Sequence, residues 1–174
     1  YTRDIHEGFD QVIKTHPDIQ VTTKPAMAWE ASGAASIVDD QLQVNKDIDV
    51  LFLHGDHFGP PVVQVLEKNG YKAGDFDVVF AVGMPVGLDL IRKGWADVAV
   101  EQPLYAQVYG LAMFVDKLIR KEPLTPGTYE ILGLKGELTI EKWGANMKVP
   151  GRVITKANVD DPANWGNLNA PTDP

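Results

Sequence analysis

Apolar residues recur along this chain in two rhythms, one of period three to four and one of period two. From Arg3 to His16, Ile5, Phe9, Val12 and Ile13 fall at helical spacing and predict an amphipathic helix with one face turned inward, ended by Pro17-Asp18. Ile19 to Thr23 alternates and is rich in β-branched residues, which predicts a strand closed by Pro25. A second helix is expected from about Glu30 to Asn45, its buried stripe marked by Ala34, Ile37, Val38, Gln41 and Leu42. The run Val50 to Leu53 then carries bulky residues on both faces and predicts a central parallel strand, buried on two sides. Pro60-Pro61 opens the next helix, because the first turn needs no amide donor, and Asn69-Gly70 stops it. Val78 to Val82 is expected as a buried strand and Gly83-Met84-Pro85 as a turn. Val86 to Lys93 should be a short helix ended by Gly94, and Val98 to Val100 the following strand.

Strand and helix thus alternate as far as Gln102, which predicts an α/β fold built on a doubly wound parallel sheet with right-handed crossovers. After Pro103 the pattern changes. Tyr105 to Arg120 predicts a long helix with Val108, Leu111, Ala112, Val115, Leu118 and Ile119 on its apolar side, and Lys117, Arg120 and Lys121 where the helix dipole favours cations. Two short β-like pieces, Tyr129 to Leu132 and Glu137 to Ile140, surround Gly133 and Gly136, and Val149 to Thr155 predicts a last strand. From Asn158 onward the chain reads as loop, with Ala170 to Pro174 expected to be disordered.

If the strands run parallel, the residues that follow them share one edge, and in open α/β sheets that edge binds ligands. It would collect Trp29, then His54, Asp56 and His57, then Met84, then Gln102. A tryptophan beside hydrogen-bonding groups suits a small polyhydroxylated ligand, whose C–H faces pack on the ring while its hydroxyls take directed bonds. Trp29 equally fits an ordinary core aromatic, the commoner role. Two imidazoles and a carboxylate in His54-Gly55-Asp56-His57 raise a second possibility, a divalent-metal site and a metal-dependent hydrolase. That site would need further ligands, and the other histidines, His6 and His16, fall on the first helix; structural histidines lining a polar cleft are the more frequent case. Gly83-Met84-Pro85-Val86-Gly87 lacks the spacing of a phosphate loop, and no nucleophile elbow is present, so no cofactor and no catalytic constellation are expected.

Composition narrows the classes. The chain has 174 residues, a formal charge of -8 and no cysteine. The acidic balance argues against nucleic acid as a partner, and the absence of thiols removes disulfide and thiolate chemistry. The longest nearly apolar run, Val78 to Leu88, is broken by glycine and proline and falls far short of the ~20 residues that span a bilayer. The chain opens without an initiator methionine, so any targeting segment is expected outside the given stretch.

Four motifs in order, Arg3-Asp4-Ile5-His6-Glu7-Gly8-Phe9, Asp47 to Phe52 leading to Asp56, Gly94-Trp95-Ala96-Asp97-Val98-Ala99-Val100-Glu101-Gln102-Pro103, and Val153 to Val159, resemble the C-terminal half of type I periplasmic binding proteins. Trp165-Gly166 is similar to a common tail of these ribose-binding-like receptors of ABC sugar importers. The resemblance implies two lobes joined by crossing strands, with residues 1-102 and 149-158 in the C-terminal lobe, 103-148 returning to an incomplete N-terminal lobe, and 159-174 as tail. It implies that Arg3 and Gln102 contact ligand oxygens and that Trp29 stacks on the ligand; Asp56 matches a position that organises a loop as often as it touches ligand. Two positions depart from the pattern: Gly55 stands where an asparagine is expected and Val82 where an aspartate is expected. A standard aldopentose or hexose in the standard pose is therefore not implied, and His54, Asp56 or His57 are the groups available to compensate.

The function so implied is a solute-binding protein that delivers a sugar, polyol or sugar derivative to a membrane permease by hinge closure. Its implied location is periplasmic or extracellular, with a membrane tether outside this stretch as an option. The effector-binding domain of a lac-repressor-like regulator, which shares the fold, is the alternative. If the chain is a fragment, the apolar face of the 105-120 helix is expected to lie open and to drive association with the missing half or with a second copy.

Overall fold

The computed structural model describes residues 2–168, and two sheets organise them. In the first, β1 (Val50–Leu53), β2 (Asp77–Phe80) and β3 (Val98–Val100) run parallel, and β7 (Val153–Thr155) closes the order β1-β2-β3-β7 antiparallel to β3. The second is an antiparallel meander of β4 (Gly127–Ile131), β5 (Leu134–Glu141) and β6 (Gly144–Lys148). The fold is the expected α/β class with a parallel-dominated sheet.

Helices α2 (Ala31–Val44), α3 (Gly59–Lys68) and α4 (Pro85–Arg92) connect or flank the parallel strands. Their limits follow from local chemistry. Proline stands in the first turn of both α3 and α4, and Gly94, at φ 76°, takes the left-handed position just past α4. The helices and strands enclose one core. Leu42 of α2, Val62 and Leu66 of α3, and Leu88 and Ile91 of α4 are buried together with Phe80, Ala99 and Ile154 from three strands. Each of the larger side chains removed from water contributes about 1.5–3 kcal/mol, which makes this cluster the frame on which the strand ends are held.

Several expectations fail, each for a non-local reason. Ile19 to Thr23 forms no strand: after a turn at Pro17-Asp18, residues 19–26 have no regular structure up to a 3-10 turn at Met27–Trp29, and Ile19 and Val21 are about half exposed. Alternation marks a stretch that could pair, but a ladder needs a partner, and none is aligned with it. As a result β1 is an edge strand rather than a central one, with Val50 exposed and only Leu53 buried. Helix α1 (Thr2–Ile13) buries none of its residues; Phe9 only stacks on Phe52 of β1, ring centres 5.4 Å apart. The strand expected over Val149 to Thr155 is confined to Val153–Thr155, and β6, with its glycine, asparagine and lysine, has no strand signature of its own. It is a strand because β5 pairs with it from Glu137 to Glu141.

Helix α5 (Leu104–Ile119) packs on the meander along a narrow stripe, Ala106, Gly110 and Phe114, with Ile131 against Gly110 and Tyr129 edge-on to Phe114 at 5.1 Å. The apolar side of the helix, Val108, Leu111, Val115, Leu118 and Ile119, lies exposed, as expected of a helix without its neighbours. The segment Asn158 to Leu168, expected as loose loop, is instead anchored. Arg92 binds Asp160, Asn167 and the Val159 carbonyl, and buried Asn164 donates to the Asn158 carbonyl. The disorder expected at Ala170 to Pro174 lies outside the described residues.

Candidate functional site at the strand ends

Parallel β1, β2 and β3 release their chain at a common edge, so residues 54–58, 81–84 and 101–102 sit side by side there. Two hydrogen bonds fasten these loops. The Met84 N–H donates to Asp56 Oδ2 at 2.6 Å, and the Gln102 N–H donates to the Val82 carbonyl at 2.8 Å. Asp56 is fully buried, and its Oδ1 has no hydrogen-bond partner among the described residues. Burial pushes its carboxyl up to about 6, against the opposing pull of the Met84, Gly83 and Val82 backbone, so it acts from inside the wall rather than on its surface.

Trp29 reaches the same edge from the turn before α2. Its ring lies nearly parallel to that of His57, centres 6.2 Å apart, and 5.6 Å from that of Phe58. His57 Nε2 lies 3.3 Å from the Trp29 carbonyl oxygen. Ala28 and Trp29 both hold left-handed backbone, φ 60° and 55°, which costs an L-residue about 1–2 kcal/mol each. Trp29 remains 45 % exposed, so the large ring is presented rather than consumed by the core.

Arg3 and His54 occupy a different flank. Along α1 and β1, Phe9 meets Phe52 and His6 meets His54 edge-on at 4.9 Å, so the two elements run in opposite directions and Arg3 projects beyond the end of β1. Its guanidinium pairs with Asp4 at 3.2 Å and Glu7 at 3.7 Å of its own helix and is largely exposed. Burial, then the charge of His6, hold the His54 imidazole below its usual range. Among the described residues no three of His, Asp or Glu converge as a metal-ligand set, so the hydrolase reading lacks its geometry.

Two residues that sequence reasoning left unassigned support the edge from behind. Glu101 is buried, and its carboxylate accepts from the Trp165 N–H at 2.7 Å, while Trp165 Nε1 donates to the Val82 carbonyl at 3.0 Å. The Glu101 N–H donates to the Arg152 carbonyl at 2.8 Å, so the two crossings between the sheets, 101–103 and 149–152, lie against each other. A Cβ at Gly151 would overlap the Glu101 carbonyl, which is why glycine stands there. An acidic residue inserted between an apolar strand and Gln102-Pro103 was the available signal.

Comparison with known proteins agrees with this layout. The sequence profile of the family described as periplasmic binding protein domain matches residues 1–123. Among solved structures, a solute-binding protein of an ABC transporter from Agrobacterium vitis, bound with α-D-tagatopyranose, superposes with a TM-score of 0.72 at 20% identity, over 91% of this chain and 47% of that one. The binding protein of the arabinose ABC transporter from Shewanella sp. ANA-3, bound to L-arabinofuranose, gives 0.70 at 17% identity, over 94% and 49%. A solute-binding protein from Bacillus halodurans with bound myo-inositol gives 0.70 at 18%, over 94% and 49%. The chain therefore spans about half the length of these structures.

Proposed function

Since this chain belongs to the periplasmic binding protein domain family, whose members bind substrates rather than transform them, we propose that it forms one wall of a cleft that captures a small sugar, polyol or sugar derivative for an ABC importer. The observation that carries the reading is the strand-end edge, where the loops bearing Asp56, Met84 and Gln102 are tied together and Trp29, still 45 % exposed, stacks on His57. An aromatic platform next to a few polar groups suits a ligand with C–H faces and hydroxyls. Arg3, on the far side of β1, would join the contact only from the end of α1. Asp56 holds the wall in shape.

Closure about the crossings would trap the ligand, the closed form being populated in proportion to its extra affinity for that ligand. The other wall would come from the lobe to which α5 and β4–β6 contribute. The exposed apolar side of α5 supports this: Val108, Leu111, Val115, Leu118 and Ile119 require cover that the described residues do not give, and the structures it resembles are about twice as long. On this reading a permease is the downstream partner and the site works outside the cytoplasmic membrane. A thermal-shift series of the intact protein with D-tagatose, L-arabinose, D-allose and myo-inositol tests it. A ligand at about a hundred times its Kd adds roughly 2.7 kcal/mol of stability and raises Tm; a flat response to all four would reject the sugar assignment.

A further inference from the structure

We infer that the His57 imidazole is the hydrogen-bond acceptor that fixes a donor group of the ligand at this edge, in the space that a side chain at position 55 would otherwise fill. The inference rests on the solute-binding reading above and specifies the chemistry of the same site. A Cβ at Gly55 would lie 2.7 Å from Cε1 and 2.8 Å from Nδ1 of His57. Those distances are shorter than real non-bonded contacts, so the ring and any side chain at 55 exclude each other. The edge therefore exchanges one polar group for another and does not lose one at Gly55.

The other side of the ring fixes its proton. Nε2 faces the Trp29 carbonyl oxygen at 3.3 Å, and a carbonyl only accepts, so Nε2 carries the hydrogen. In the neutral imidazole Nδ1 is then a bare acceptor. It has no protein partner among the described residues and is not sealed from solvent. The ring is held in this attitude by Phe58, 4.0 Å away, and by Trp29, stacked at 21°. The carbonyl that sets the tautomer is aimed by the two successive left-handed residues Ala28 and Trp29, a strained turn of the kind that persists where it serves a site.

A ligand placed against Trp29 must therefore offer an O–H or N–H to Nδ1. A neutral sugar or polyol does so. A carboxylate or phosphate at that point brings only acceptors and is mismatched. Within the broader class of sugars and their derivatives, the geometry selects neutral hydroxyl-bearing ligands at this position.

Two measurements on the intact protein test this. Long-range proton–nitrogen NMR correlations of the His57 ring, in its neutral form, should show the Nε2–H tautomer. Calorimetric titration with D-tagatose, L-arabinose, D-allose and myo-inositol should show, for each probe the wild type binds, an affinity loss of about tenfold or more in His57→Phe, which keeps a ring and removes the acceptor. His57→Asn, whose amide oxygen can take the place of Nδ1, should recover part of that loss. Gly55→Ala, which pushes the ring aside, should weaken binding of the same probes in a variant that still folds. An Nδ1–H tautomer, or undiminished binding by a folded His57→Phe variant, would overturn this inference alone. Failure of the wild type to bind any of the probes would overturn the sugar reading and this inference with it.

Discussion

The α2–α4 unit and the α5–meander unit both contain helices with apolar sides, α5 the most apolar of them, yet they treat them differently. In the first, Leu88 and Ile91 of α4 are 0 % exposed, closed in by α3, β3 and the anchored segment after β7. In the second, Val108 and Leu111 of α5 are 66 % and 65 % exposed, because a three-stranded meander offers only enough surface for Ala106, Gly110 and Phe114. The contrast teaches that apolar periodicity reports the demand for cover, while the number of neighbouring elements decides whether it is met. One unit meets its own demand, and the other presents it to a partner.

Substitutions can break or sharpen that contrast. The largest effect is expected from Phe80→Ala, which empties the middle of the closed core and should cost about 3–5 kcal/mol in urea denaturation. A loss under about 1 kcal/mol would mean that this core is not the frame described.

Asp56 supplies the next largest effect and gives it a sign. Burial sets its carboxyl at about 6 in the folded chain against 3.8 for the free group, so the folded form binds the proton more readily than the unfolded form. Its contribution is full below about pH 4 and is lost as pH rises through about 6, a change of roughly 3 kcal/mol. Asp56→Asn should flatten that part of the pH profile, measured by denaturation from pH 4 to 7. A variant with the wild-type slope would show that the sensitivity arises elsewhere.

Glu101→Ala should cost about 1–3 kcal/mol, since it strands the partly buried N–H of Trp165. The accompanying change, faster hydrogen exchange at Trp165, would distinguish loss of this tie from general loosening. The smallest effect on folding is expected from Leu111→Ala on the open side of α5, within about 0.5 kcal/mol for the 174-residue chain alone. In the intact protein, where we propose that a second lobe covers this side, the same change should cost several times more. Equal costs in the two settings would remove the case for such cover. Leu111→Asp with Val115→Asp should also abolish self-association of the isolated chain in sedimentation; a chain already monomeric as wild type would show that the open side attracts no copy of itself.

Much of the closed unit was legible because its signals are local. Pro60-Pro61, Pro85 and Gly94 punctuate α3 and α4, and the runs at Val50, Val78 and Val98 are strands at those places. What could not be read depends on partners distant in sequence. Nothing in Ile19 to Thr23 says that its ladder is missing, and nothing in Gly144 to Lys148 says that β5 will recruit it. The candidate edge divides the same way. The places of Asp56, Met84 and Gln102 followed from strand order, whereas Trp29 was expected after a strand that does not form; its facing of His57, across the whole of α2 and β1, and the burial of Asp56 are products of packing. Gly55 read as a lost contact; only the imidazole folded over it shows what replaced the side chain.

The close fit of Gly151 against Glu101 constrains how the two units can move. With backbone touching backbone and an amide clasp at Arg152, the strands there cannot slip past each other or part without losing that clasp. Under the closure we propose, bending would fall on the links flanked by Pro103 and Pro150, so that a swing of the smaller unit would be a rotation about a short, well-defined axle instead of a diffuse flexing of the connection.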